Sequence, residues 1–228
     1  MKPAVSPAPA RCVPSGTFLH RGFTLIELAI VMFIVALLLG GMLLPLSAQQ
    51  DIRSQGDTQK QLADINEALL GFAASRVDKP YLPCPDTDND GVEDRNLDKT
   101  CVNQDGTLPW GDLGLGRQDA WNNAFHYRVT AEFSNSDTGF LLTSPGDMRV
   151  CDTAACTGTI LATDIPVVIL SRGKNGAAAP TDVDEQENLD ADTDFVQHTA
   201  ASGGFDDMVT WLSPNILINR MISAGRLP

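Results

Sequence analysis

"RGFTLIELAIVMFIVALLLGGMLLPL", residues 21–46, decides how this chain is read. From Phe23 to Leu46 the only strongly polar residues are Thr24 and Glu27. As a helix, that stretch would extend about 36 Å, enough to cross the ~30 Å hydrocarbon core of a bilayer. The sequence therefore predicts a membrane-spanning helix over residues 23–46. Near its start it carries a carboxylate, Glu27, and directly before it an Arg-Gly pair. A charge at the centre of a bilayer helix costs about 2.5–3.5 kcal/mol, and less towards the interface. A carboxylate in this position calls for a partner.

Residues 1–22 are rich in Pro, Ser and Ala and hold Lys2, Arg11 and Arg21 with no acidic residue. They read as a processing segment outside the fold. A secretory signal peptide would place its apolar run ahead of a small-residue cleavage site. Here the small residue, Gly22, precedes the run, so a cut there leaves the membrane segment on the mature chain. The whole chain carries a formal charge of −13, and without residues 1–22 it has 13 basic against 29 acidic residues. Such acidity argues against a nucleic-acid surface, which needs a basic footprint, and is compatible with divalent cations. Basic residues before the apolar run and an acidic body after it predict a cytoplasmic N-terminus with the body outside.

Of the five cysteines, Cys12 falls in the leader, leaving Cys84, Cys101, Cys151 and Cys156. An even set suits two disulfides and an oxidising compartment, consistent with that orientation. Sequence proximity favours Cys84–Cys101 and Cys151–Cys156; four free buried thiols are the other reading.

Beyond the apolar run the pattern becomes amphipathic, with Leu62, Ile65, Leu69 and Phe72 recurring at helical spacing. One long helix over residues 23–78 is expected, ended by Lys79-Pro80 because the residue before proline avoids helical geometry. Residues 79–228 form a head. "FHYRVTAEF" (125–133) alternates like a half-buried strand, and "GFLLTS" (139–144), "PVVILS" (166–171) and "DMVTWL" (207–212) read as further strands. "SPNILINRMISAG" (213–225) reads as a closing helix with Ser213 as N-cap, Pro214 at N1 and Gly225 as its stop. A long acidic loop precedes the last strand.

The quoted stretch resembles the N-terminus of type IV pilins and of the pseudopilins of type II secretion: a basic residue and Gly, then Phe, then a carboxylate five residues into an unbroken apolar helix. The resemblance implies that Gly22–Phe23 is cut by prepilin peptidase, that the new amine of Phe23 is methylated, and that Glu27 pairs with a neighbouring subunit's terminal amine. "DAWNNAFHYRV" (119–129) and "LSRGKNG" with the later "FDDMVTWL" resemble stretches of major pseudopilins, the latter around their calcium loop. The chain departs from that pattern at Ala120 and Asn123 and in its longer loop. "YLPCPD", "GTLPWGDLGL" and "SPNILINRMISAGRLP" are similar to a broader pilin-like group with a disulfide-bearing head.

"DTDNDGVED" places Asp86, Asp88 and Asp90 at alternate positions before Gly91, with the Val92 carbonyl and Asp94 able to follow. Alternating carboxylates converging on one cation are the logic of D-x-D-x-D-G calcium loops, although Leu97 stands where an EF-hand needs a bidentate Glu. Calcium is the expected cofactor there, against a solvated acidic turn. By the pseudopilin resemblance, Asp182, Asp184, Asp190, Asp192, Asp206 and Asp207 form a second, weaker candidate.

No nucleophile, base or zinc motif emerges, and His20, His126 and His198 lie apart. The chain reads as α+β and pilin-like: a long N-terminal helix, half transmembrane, packed on an antiparallel sheet. It reads as a non-enzymatic filament subunit, minor or specialised, held in the bacterial inner membrane with its head in the periplasm. Its expected partners are other pilin or pseudopilin subunits and prepilin peptidase. A single-pass anchored calcium-binding receptor or adhesin is the alternative.

Overall fold

The computed structural model describes residues 22–199 and 204–228, apart from the side chains of residues 41–47. Of the expected leader, only Gly22 is among them. The chain divides into two compact units, Met1–Ala48 and Gln49–Pro228.

Helix α1 (Leu25–Ser75) supplies the secondary structure described in the first unit and opens the second. In the first unit every described side chain from Gly22 to Gly40 is exposed, among them Phe23, Leu25, Ile26, Phe33 and Leu37. Among the described residues no helix is long and apolar enough to cross a membrane. Part of the expected span, residues 41–46, lies outside the described side chains.

In the second unit α1 turns its apolar stripe inward. Leu62, Ile65, Leu69, Leu70 and Ala73 are buried, as the helical period of these positions predicts. The helix ends at Ser75 rather than at the expected Asp78. The Ser75 hydroxyl donates to the Phe72 carbonyl, and Arg76 leaves the helix with its guanidinium 3.9 Å from the Phe72 ring centroid.

Among the described residues seven strands follow: β1 (Asp105–Thr107), β2 (His126–Val129), β3 (Met148–Cys151), β4 (Ile160–Ile165), β5 (Val167–Ser171), β6 (Asp194–Val196) and β7 (Met208–Leu212). Between and after them come the short helices α2 (Trp110–Leu113), α3 (Ala131–Ser134) and α4 (Val183–Glu187), then α5 (Pro214–Ser223). Strands β1-β2-β5-β7 make an antiparallel sheet. The second sheet, β4-β3-β6, departs from the all-antiparallel expectation, because β3 and β6 run parallel.

Two apolar clusters share the first sheet. Val167 and Ile169 of β5 belong to a core that includes Ile65 and Leu69 of α1, together with Phe125, Tyr127, Leu217 and Met221. Val168 and Leu170 belong to the other, with Met148, Val150, Ile165, Phe195 and Val209. All five residues of β5 are therefore buried, which is why "VVIL" is an unbroken apolar run rather than an alternating one. Each such side chain contributes about 1.5–3 kcal/mol of burial.

Two expected strands are corrected. Residues 125–133 keep the strand only to Val129; Ala131–Ser134 form α3, a turn of helix that still brings Phe133 into the core. Residues 139–144 are not a strand. Gly139 takes φ +63° beside Lys79 and Pro80, Phe140 is buried, and the chain then turns with the Leu141 amide donating to Ser144 Oγ. The closing helix forms as expected with Pro214 at its first turn and Gly225 at φ +68°, but Ser213 makes no side-chain cap bond. Both disulfides form, Cys84–Cys101 and Cys151–Cys156.

Candidate functional site

Two places carry chemistry: the start of α1 and the acidic loops of the head. At the start of α1, Thr24 is the residue before the first helical position and Glu27 lies in the first turn. The Thr24 backbone N–H and hydroxyl both donate to Glu27 Oε2, each at 2.9 Å, and the Glu27 N–H donates back to Thr24 Oγ1 at 3.3 Å. This is a capping box: two helix-end donors satisfied reciprocally, with the carboxylate at the positive end of the helix dipole. Glu27 is thus placed by its own helix close in sequence to Phe23, at the start of an exposed apolar segment.

The first acidic loop is closed by the buried Cys84–Cys101 disulfide and held to β1 by paired backbone bonds between Asp86 and Thr107. One carboxylate oxygen from each of Asp86, Asp88 and Asp90 lies within 4.8 Å of the others. Gly91 adopts φ +94° and passes so close to Trp110 that a Cβ would sit 2.6 Å from its ring. Much of the carboxylate capacity is already spent. Asp86 accepts from the Asn89 and Gly91 amides at 2.6 and 2.8 Å, Asp88 from the Asp90 amide, and Asp90 from the Val92 amide. Asp94 is not brought to this group; its Oδ2 accepts from the Thr87 amide and hydroxyl, which holds its carboxyl below the usual range.

The second cluster is Glu185, Asp206 and Asp207, again with oxygens within 4.8 Å of one another. It is far drier: Glu185 is 2% exposed and Asp207 5%. Asn175 Nδ2 donates to both Glu185 oxygens at 2.9 and 3.1 Å, and the Asp206 amide donates to Glu185 Oε1. Asp206 Oδ2 accepts from the Lys174 and Asn175 amides, while its Oδ1 is buried with no hydrogen-bond partner among the described residues. Asp207 Oδ2 accepts from Asn188. Burial pushes the Asp207 carboxyl up to about 7, and the neighbouring Glu185 and Asp206 charges add to that against the Asn188 hydrogen bond. Burial likewise raises Asp206. Three converging carboxylates, one with an orphaned buried oxygen, form a hard-oxygen donor set that fits calcium.

The surrounding sequence builds this cradle. Asp119, at the head of "DAWNN", is buried and accepts from the Trp121 and Asn123 amides and the Ser171 hydroxyl. Asn123 Nδ2 donates in turn to the Gly173 carbonyl. Gly173 has φ +58° and lies so close to Asp206 that its backbone oxygen leaves no room for a Cβ.

The remaining residues of the expected second set are dispersed. Asp182 caps α4 by accepting from the Asp184 amide. Asp184 accepts from the Ala154 amide and pairs with His198. Asp190 and Asp192 group instead with Glu187 in a more exposed triad. Glu185 is absent from the set expected from sequence. Its signal is local: it stands three residues after an Asp N-cap, the position a capping pattern reserves for Glu.

Residues 18–43 match the prokaryotic N-terminal methylation motif, the signature of type IV pilins and pseudopilins. No curated protein and no solved structure matches the chain.

Proposed function

We propose that the protein is a subunit, minor or specialised, of a type IV pilus or type II secretion pseudopilus. Prepilin peptidase cuts Gly22–Phe23, the Phe23 amine is methylated, and residues 23–46 hold the subunit in the inner membrane with the head in the periplasm until assembly. The observation that carries this reading is the coincidence of the methylation motif with the start of α1, where Glu27 sits in the first helical turn at the head of an exposed apolar array. Glu27 then pairs with the terminal ammonium of a neighbouring subunit, which offsets the penalty of a carboxylate within lipid. Calcium is held in the head by Glu185, Asp206 and Asp207, neutralising three desolvated carboxylates. Asp86, Asp88 and Asp90 are the second candidate.

The test is the intact mass of the full chain expressed with and without an active prepilin peptidase. Loss of residues 1–22 and gain of one N-terminal methyl group are expected. An uncut chain in the presence of active peptidase overturns the reading and leaves the anchored calcium-binding receptor or adhesin in its place.

A further inference from the structure

The two disulfides differ in burial, and access is one of the factors that set the rate of thiol exchange. Cys84 and Cys101 are 0% and 6% exposed and belong to the main apolar core. Cys151 is equally buried, but its partner Cys156 is half-buried, lies in the turn between β3 and β4, and belongs to neither apolar cluster. Cys156 also adopts φ +47°, a left-handed conformation that a residue with a Cβ occupies only when held there. The sulfur bridge and one backbone bond, from the Cys156 amide to the Thr153 carbonyl, hold it.

We propose that Cys151–Cys156 is an exchangeable disulfide, opened by a dithiol at Cys156 Sγ, and that its state is transmitted to the acidic segment through Ala154. A thiolate of the dithiol attacks Cys156 Sγ; the S–S bond breaks and the electron pair leaves on Cys151, which takes up a proton. The second thiol then attacks the mixed disulfide, releasing Cys156 as a thiol and the dithiol as its own disulfide. Cys156 is the sulfur attacked because Cys151 is covered. Besides the β3–β6 ladder, which Cys151 itself joins, one bond ties the turn to that segment: the Ala154 amide, inside the five-residue separation closed by the disulfide, donates to Asp184 Oδ1 at 2.7 Å. Asp184 in turn holds His198 through Oδ2 at 3.1 Å and directly precedes Glu185. Opening the bridge frees Cys156 to relax its backbone, and with it the turn that presents Ala154.

The full chain in detergent, exposed to graded dithiothreitol, quenched by alkylation and mapped by peptide mass, tests this without reference to filament assembly or calcium. Cys151 and Cys156 are expected to be labelled at roughly a tenth of the dithiothreitol needed to label Cys84 and Cys101. Simultaneous opening of both bridges, or earlier opening of Cys84–Cys101, overturns the proposal. In the same samples, amide hydrogen exchange at Ala154 and over residues 184–187 rises as Cys156 is labelled; unchanged exchange there removes the transmission step. A Cys151→Ser, Cys156→Ser variant reproduces the faster exchange without reductant.

Discussion

Thr24 satisfies the Glu27 carboxylate within its own helix, through a backbone N–H and a hydroxyl that both reach Oε2 at 2.9 Å. Both bonds fall on one oxygen, so a neighbour's ammonium can meet the carboxylate at Oε1 or share Oε2 with Thr24. Capping and pairing can be separated by substitution. Thr24→Ala removes the hydroxyl and keeps the carboxylate; a lost cap costs about 1 kcal/mol, so amide exchange over the first helical turn should quicken about fivefold. Glu27→Leu should leave the chain in the membrane fraction and deplete it from sheared filaments. Normal incorporation of Glu27→Leu would end the pairing hypothesis.

Calcium should act on Glu185, Asp206 and Asp207, the driest of the three carboxylate groups. At a concentration about a hundredfold above its dissociation constant, a ligand specific to the folded state adds about 2.7 kcal/mol, or roughly 5–10 °C in Tm for a chain of this size. Thermal melts with and without calcium should show that rise in the native chain, its loss in Asp207→Asn and Glu185→Gln, and its retention in Asp88→Asn. The opposite pattern would move the site to the loop closed by Cys84 and Cys101. Glu185→Gln retains a side chain able to meet Asn175, so its fold should persist.

Without a cation, Asp207 makes the head less stable as pH rises. Its folded pKa of about 7 stands above the ordinary 3.8, so between those values the folded state binds the extra proton. The contribution is fully present below the lower value and is lost as pH climbs through the upper one. Its ceiling is on the order of 4 kcal/mol. Asp206, also raised by burial, acts in the same direction. Chelator-treated protein should melt higher at about pH 5 than at about pH 7.5. Asp207→Asn should flatten that difference, and a native chain that melts higher at the more alkaline pH would refute it.

What is legible in the sequence follows from strong periodicity. The stripe Leu62, Ile65, Leu69 marks the inward face of α1, and the unbroken "VVIL" belongs to a strand covered on both sides. Pro214 and Gly225 bracket the last helix. "GFLLTS" misleads because apolar content is not a ladder: Gly139 needs a left-handed turn against Lys79 and Pro80, residues too far upstream for any local window to see. Both disulfide pairings are legible from proximity. The acidic cluster is half legible. Asp206 and Asp207 stand out, but Glu185 is hidden among many acids: its place three residues after the Asp182 N-cap is a weak mark, and burial is what separates it in the fold from Glu187, Asp190 and Asp192. Asp94 belongs by spacing to the first loop, yet Thr87 captures its carboxylate.

Strand β5 has a consequence for how the head comes apart. Val167 and Ile169 form part of one apolar cluster while Val168 and Leu170 form part of the other, so a single five-residue ribbon is a wall of both. Neither cluster can melt alone without stripping the opposite face of that ribbon bare to water. Though the interior is divided, its cooperativity is shared, and the head should yield to heat or denaturant as one body.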